Sequence, residues 1–205
     1  MAQRSRPITA AELASQLRND PEWVRAERER QRDHVERAFR YRAEQSPIVD
    51  DLHAAGVRVE TLWDLMRLPT PGPAVRILLK HLSLAYSEAT LETIARALAD
   101  PAAKDAWPFL AAAYRRAPSD GLATALAATV TPNVLSELIC LAKDPTLGPS
   151  RGILFGKLRR LRSRAAKQAV DDLESDPLLG RIVSSWKEER RQARGRSKSR
   201  QASRH

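Results

Sequence analysis

Four Asp-Pro pairs punctuate this chain, at Asp20-Pro21, Asp100-Pro101, Asp144-Pro145 and Asp176-Pro177, and no other feature restricts the fold as strongly. An aspartate before a helix accepts orphaned N–H groups of the first turn, and a proline at the first helical position gives up an N–H that has no intrahelical partner. Each pair therefore ends one helix and starts another. Between these stops the apolar spacing is helical. Leu91, Ile94, Ala95 and Leu98 form one core stripe, Ala103, Trp107, Leu110 and Tyr114 a second, and Leu154, Leu158, Leu161 and Ala165 a third. Pro108 fits a first turn capped by Asp105. No strand pattern occurs, and with 5% aromatic residues in a sequence rich in Ala, Leu, Arg and Glu the expected fold class is all-α.

The first third of the chain has its own signals. Thr9 and Glu12 have capping-box spacing and predict a short helix to about Arg18. Asp20-Pro21 opens a long charged helix, Glu22 to Gln45, with Trp23, Val24, Val35, Ala38 and Phe39 as its few apolar anchors. Ser46-Pro47 predicts a new start and Gly56 a stop, giving a short helix from Ile48 to Ala55. A further turn spans Thr61 to Met66. The run Pro69-Thr70-Pro71-Gly72-Pro73 is a connector that no helix crosses, so the expected organisation is an N-terminal helical segment over 1–68, a repeat region over 73–192 and a disordered basic tail over 193–205.

Leu141-Ala142-Lys143-Asp144-Pro145-Thr146-Leu147-Gly148 is echoed 32 residues later by Leu173-Glu174-Ser175-Asp176-Pro177-Leu178-Leu179-Gly180. Each copy follows an amphipathic helix and precedes another with an early arginine, Arg151 or Arg181, and a looser copy stands at Leu98-Ala99-Asp100-Pro101. Over about residues 88–191 this resembles the HEAT repeat, although Asp-Pro pairs 44 and 32 residues apart depart from a period of roughly 40–47. The resemblance implies stacked antiparallel helix pairs, a short α-solenoid, preceded by the long charged N-terminal helix. It also implies a structural ladder of Asp144, Arg151, Asp176 and Arg181. As N-caps, Asp144 and Asp176 are each expected to contribute about 0.5–2 kcal/mol.

The residues that carry chemistry are sparse. His34, His53, His81 and His205 are solitary, no metal-binding spacing occurs, and the eight glycines build no phosphate loop. Cys140, the one cysteine, is expected to be buried as a small hydrophobe, and the four tryptophans to be core anchors. The doublets Asp50-Asp51, Asp171-Asp172 and Glu188-Glu189 read as solvated faces. No catalytic residue, cofactor or metal is therefore expected. No apolar run approaches the roughly 18 residues of a membrane span. One cysteine and no charged-then-apolar leader predict a reducing, cytoplasmic setting.

Charge is the remaining signal. Residues 1–45 carry 10 Lys/Arg against 8 Asp/Glu, residues 46–150 carry 9 against 11, and residues 151–205 carry 16 against 6, so the net +10 resides in the last quarter. Its densest part is Lys157, Arg159, Arg160, Arg162, Arg164 and Lys167, with a helix break expected near Ser163. Two functions follow. The first is a non-catalytic helical-repeat module, adaptor- or immunity-like, that binds another protein, as the HEAT resemblance implies. The alternative is a nucleic-acid-associated protein that binds phosphates through residues 151–205. The first is preferred because no aromatic residue is interleaved with the basic run to stack a base.

Overall fold

The structure, a computed structural model, describes residues 8–67 and 69–202, with side chains described through residue 193. The described residues hold α1 (Ala10–Asn19), α2 (Pro21–Ala54), α3 (Gly72–Leu82), α4 (Glu88–Ala97), α5 (Trp107–Arg116), α6 (Asp120–Thr129), α7 (Leu135–Lys143), α8 (Arg151–Leu158), α9 (Arg164–Asp172) and α10 (Gly180–Ala202), joined by short 3-10 turns and with no strand among them. The fold is all-α. Contacts divide it into two compact units, residues 1–46 and 47–205, so the 69–73 connector lies inside the second.

In the first unit the Thr9 capping box is complete: Glu12 N–H donates to Thr9 Oγ1 at 3.3 Å and Thr9 N–H to Glu12 Oε2 at 2.9 Å. Asp20 accepts from the N–H groups of Glu22 and Trp23, as the Asp-Pro reading requires. Along α2 the charged face is laced by Arg30–Glu27 and Arg40–Glu36 pairs one turn apart. The expected anchors are only partly engaged. Trp23 and Val24 are half-buried, whereas Val35 and Phe39 are exposed.

The expected break at Ser46-Pro47 is absent: α2 spans Pro21–Ala54 with Pro47 inside it. Pro47 and Ala43, four residues before it, are both exposed, so the carbonyl that the proline leaves without its intrahelical donor is open to solvent. The helix stops where Gly56 takes φ 79°, the left-handed turn anticipated there.

The second unit has one core cluster, from Ile48 and Leu52 through Leu62, Leu78, Ile94 and Leu110 to Phe155 and Val183. Successive helices share it: α3 packs on α4, α4 and α5 on α6, α6 on α8, α7 on α8 and α9, and α10 on the turn Leu173–Ser175. The proline connector is tied down by Thr70, whose N–H reaches Asp100 Oδ2 at 3.1 Å and whose hydroxyl donates to Ala97 O at 3.0 Å. Trp107 is 1% exposed and its Nε1–H donates to Leu126 O.

Several local expectations change in this unit. The turn Pro101–Ala106 carries Asp105, so α5 begins after Ala106 without a side-chain cap. Cys140 is exposed, because Leu138, Leu141 and Ala142 turn the opposite face of α7 inward. Ala165 is exposed too, since α8 ends at Leu158 and Ser163 recaps the chain, which resets the phase of the stripe. Of the tryptophans only Trp107 is a fully buried anchor; Trp63 is exposed and Trp186 half-buried. The tail expected to be disordered from 193 is helical as far as Ala202, consistent with Arg, Lys, Gln and Ala as helix formers; residues 203–205 lie outside the described residues.

Close approach of α4 and α6 rests on one glycine. Gly121 N–H donates to Glu92 Oε2 at 2.7 Å, and a Cβ at Gly121 meets Glu92 O at 2.6 Å. Because the obstacle is backbone, the helices must separate to admit a methyl group, and Gly121→Ala is expected to cost about 1–3 kcal/mol. A urea midpoint equal to that of the parent overturns this packing.

Candidate functional site

The geometry begins with an ion pair. Arg151, at the start of α8, is 1% exposed and forks onto Asp176, 8% exposed, through Nη1–Oδ2 at 2.7 Å and Nη2–Oδ1 at 3.3 Å. The guanidinium also donates to Ala142 O and Gly148 O, while Asp176 Oδ1 accepts from Leu178 and Leu179 N–H at 2.9 Å each. The Arg151 fork, followed by these backbone donors, holds the Asp176 carboxyl at about 2, well below its usual range. The other two ladder residues play different parts. Asp144 accepts from the N–H and hydroxyl of Thr146, and Arg181 is exposed with no ion pair among the described residues.

This pair fixes the entry of α10 against α8. Gly180 completes the junction: a Cβ there meets Glu174 O at 2.6 Å. Six residues on, α10 presents Trp186, whose ring packs at right angles to that of buried Phe155 of α8, with centroids 6.0 Å apart and planes at 85°. The 159–163 loop between α8 and α9, capped where Ser163 Oγ accepts from Ala166 N–H, faces the same region.

Together these elements enclose a groove of about 790 Å³ whose lining includes Arg159, Arg160, Arg162, Lys167 and Arg190 around Trp186. The Arg159 and Arg190 guanidinium groups stand 6.0 and 5.4 Å from the indole centroid. These five cations have no carboxylate partner among the described residues. Lys187 does: it bridges Asp171 at 2.7 Å and Glu174 at 2.8 Å, and those hydrogen bonds raise its pKa. Arg191 stands 3.5 Å from Glu188.

Of the basic residues singled out from sequence, Arg159, Arg160, Arg162 and Lys167 thus converge, while half-buried Lys157 and exposed Arg164 lie outside the lining. Sequence reasoning missed Trp186 as a member. Its i,i+4 spacing to Arg190 was visible, but its approach to Arg159 depends on how α10 packs on α8. The groove offers fixed positive charge and an aromatic face. Its one carboxylate, Asp171, is engaged by Lys187.

A second surface lies elsewhere in this unit. Leu82, Leu84, Tyr86, Leu91, Phe109 and Leu122 line an apolar groove of about 690 Å³. Tyr86 Oη is 2.8 Å from His81 Nδ1, and buried His81 reaches Asp51 Oδ2 through Nε2 at 3.0 Å. Lys80 and then His81 lower the Asp51 pKa. Among the described residues no group of three or more His, Cys, Asp or Glu is placed to hold a metal ion, and no helix is long and apolar enough to cross a membrane. No family model, curated protein or solved structure matches the chain.

Proposed function

We propose that this chain is a non-catalytic helical binding module that holds nucleic acid by its phosphates in the groove formed by α8, α9 and α10. The observation that carries this reading is the convergence of Arg159, Arg160, Arg162, Lys167 and Arg190 without carboxylate partners among the described residues. Exposed cations gathered on one groove repel one another, and a polyanion relieves that repulsion while releasing its own counterions to solution. The sequence of α10 continues the charge with Arg194, Arg196, Lys198 and Arg200.

The test is a salt titration with the full-length chain and a fluorescein-labelled 20-nucleotide single strand or duplex. Binding is expected at low salt, with a log–log salt slope of magnitude about 3 or more if the five groove cations each meet a phosphate. Absence of binding at about 50 mM salt with about 100 µM protein, or binding indifferent to salt, overturns the proposal.

A protein-binding HEAT-like repeat is the second reading, and two observations favour it. Asp176 reaches back to Arg151 across successive Asp-Pro turns, and α7 packs on α8, which supports one antiparallel helix pair there. Phe109 and Leu84 are 40% and 47% exposed on the apolar groove, which suits an amphipathic helix of another protein. Partner binding there is expected to survive neutralisation of the basic groove.

A further inference from the structure

We infer that the basic groove takes single-stranded nucleic acid and that Trp186 is the platform on which one base stacks. This inference rests on the phosphate-binding reading and adds what that reading does not require, a discrimination between strands with and without available base faces.

The right-angled contact with Phe155, itself 2% exposed, fixes the indole against α8, and Trp186 packs on the rim of the core while staying half-buried on the groove wall. The groups above it are the exposed guanidiniums of Arg159 and Arg190, neither tied to a carboxylate among the described residues. A guanidinium that stacks on an aromatic ring in the free protein can swing to a phosphate when a strand arrives, because the long side chain reaches both. The vacated indole face then meets the flat face of an unpaired base. Phosphate-binding cations flanking an aromatic face are what a single strand demands, its charge lying along the backbone and its bases splayed out. In a duplex each base face is already covered by its neighbours, so the same groove gains only the phosphate contacts.

Three probes of equal length separate the outcomes: oligo(dT), an abasic strand with the same phosphates, and a mixed-sequence duplex. For the full-length protein, oligo(dT) is expected to bind about tenfold more tightly than the abasic strand. Trp186→Ala should remove that advantage, lowering oligo(dT) affinity several-fold more than abasic or duplex affinity, and Trp186→Phe should restore part of it. Tryptophan emission of the parent should be quenched by oligo(dT) and not by the abasic strand. Equal parent affinity for oligo(dT) and the abasic strand overturns the stacking role while sparing the phosphate reading, and needs no variant to fold. Equal losses for all three probes in a folded Trp186→Ala, by circular dichroism, also overturn it. Failure of every probe to bind removes both proposals.

Discussion

Asp176→Ala is expected to destabilise the protein by about 3–5 kcal/mol, several times the effect of Asp144→Ala, although both residues occupy the same place in the Asp-Pro motif. The difference lies in what each carboxylate faces. Asp144 caps a short turn through Thr146 at the surface, and its loss should cost about 0.5–2 kcal/mol. Asp176 neutralises a guanidinium that is 1% exposed and also caps the approach to α10. Deleting it strands Arg151 as a buried charge and orphans two N–H groups. Replacing both partners at once, as Arg151→Met with Asp176→Leu, is expected to cost far less than Asp176→Ala alone, because no uncompensated charge is left. Urea denaturation checks all three; equal midpoint shifts for Asp144→Ala and Asp176→Ala refute the buried pair.

The same carboxylate gives a pH signature. Its folded pKa of about 2 lies below an unfolded value of about 3.9, so its contribution of about 2 kcal/mol is present above pH 4 and lost as the pH falls through 2. Asp176→Asn should lack that part of the acid limb.

The ion pair also links the fold to the groove. It joins the start of α8 to the residues just before α10, and these two helices supply Phe155 and Trp186. Variants that break it should therefore disturb the aromatic contact as well as stability, and near-ultraviolet circular dichroism at partial destabilisation would register the change.

Helix caps and stops were legible in the sequence wherever the cause is local. Thr9, Asp20, Asp100 and Asp144 accept the N–H groups expected of caps, the chain breaks before Ser163, and Gly56 adopts positive φ. Local rules failed where surroundings decide. Pro47 is tolerated inside α2 at a solvated position, and Cys140 faces outward because α7 has only one apolar face to bury. The site was half legible for the same reason. Charge density marks residues 159–167 in any reading, but that Trp186, 19 residues beyond the end of that run, completes the cluster follows from the packing of α10 against α8. The basic run itself holds no aromatic residue, and the groove places Trp186 beside it.

Neutralising the groove as Arg159→Gln, Arg160→Gln, Arg162→Gln and Lys167→Gln together is expected to weaken single-strand binding by a hundredfold or more near about 0.1 M salt and to flatten the salt slope by about 3. The slope change is the stronger diagnostic, because each cation that meets a phosphate releases its counterion and contributes about 0.7 to it, whereas a disturbed fold lowers affinity without that signature. Lys157→Gln with Arg164→Gln removes two charges from the same run of sequence, but neither residue lines the groove, so this pair should change the slope by less than one. Lys187→Gln should act differently again. Its ammonium bridges Asp171 and Glu174, so the substitution frees two carboxylates beside the groove and should weaken binding through added negative charge without removing a phosphate contact. If the Lys157 and Arg164 pair flattens the slope as much per charge as the groove set does, binding follows net charge rather than geometry, and the groove loses its claim as the site.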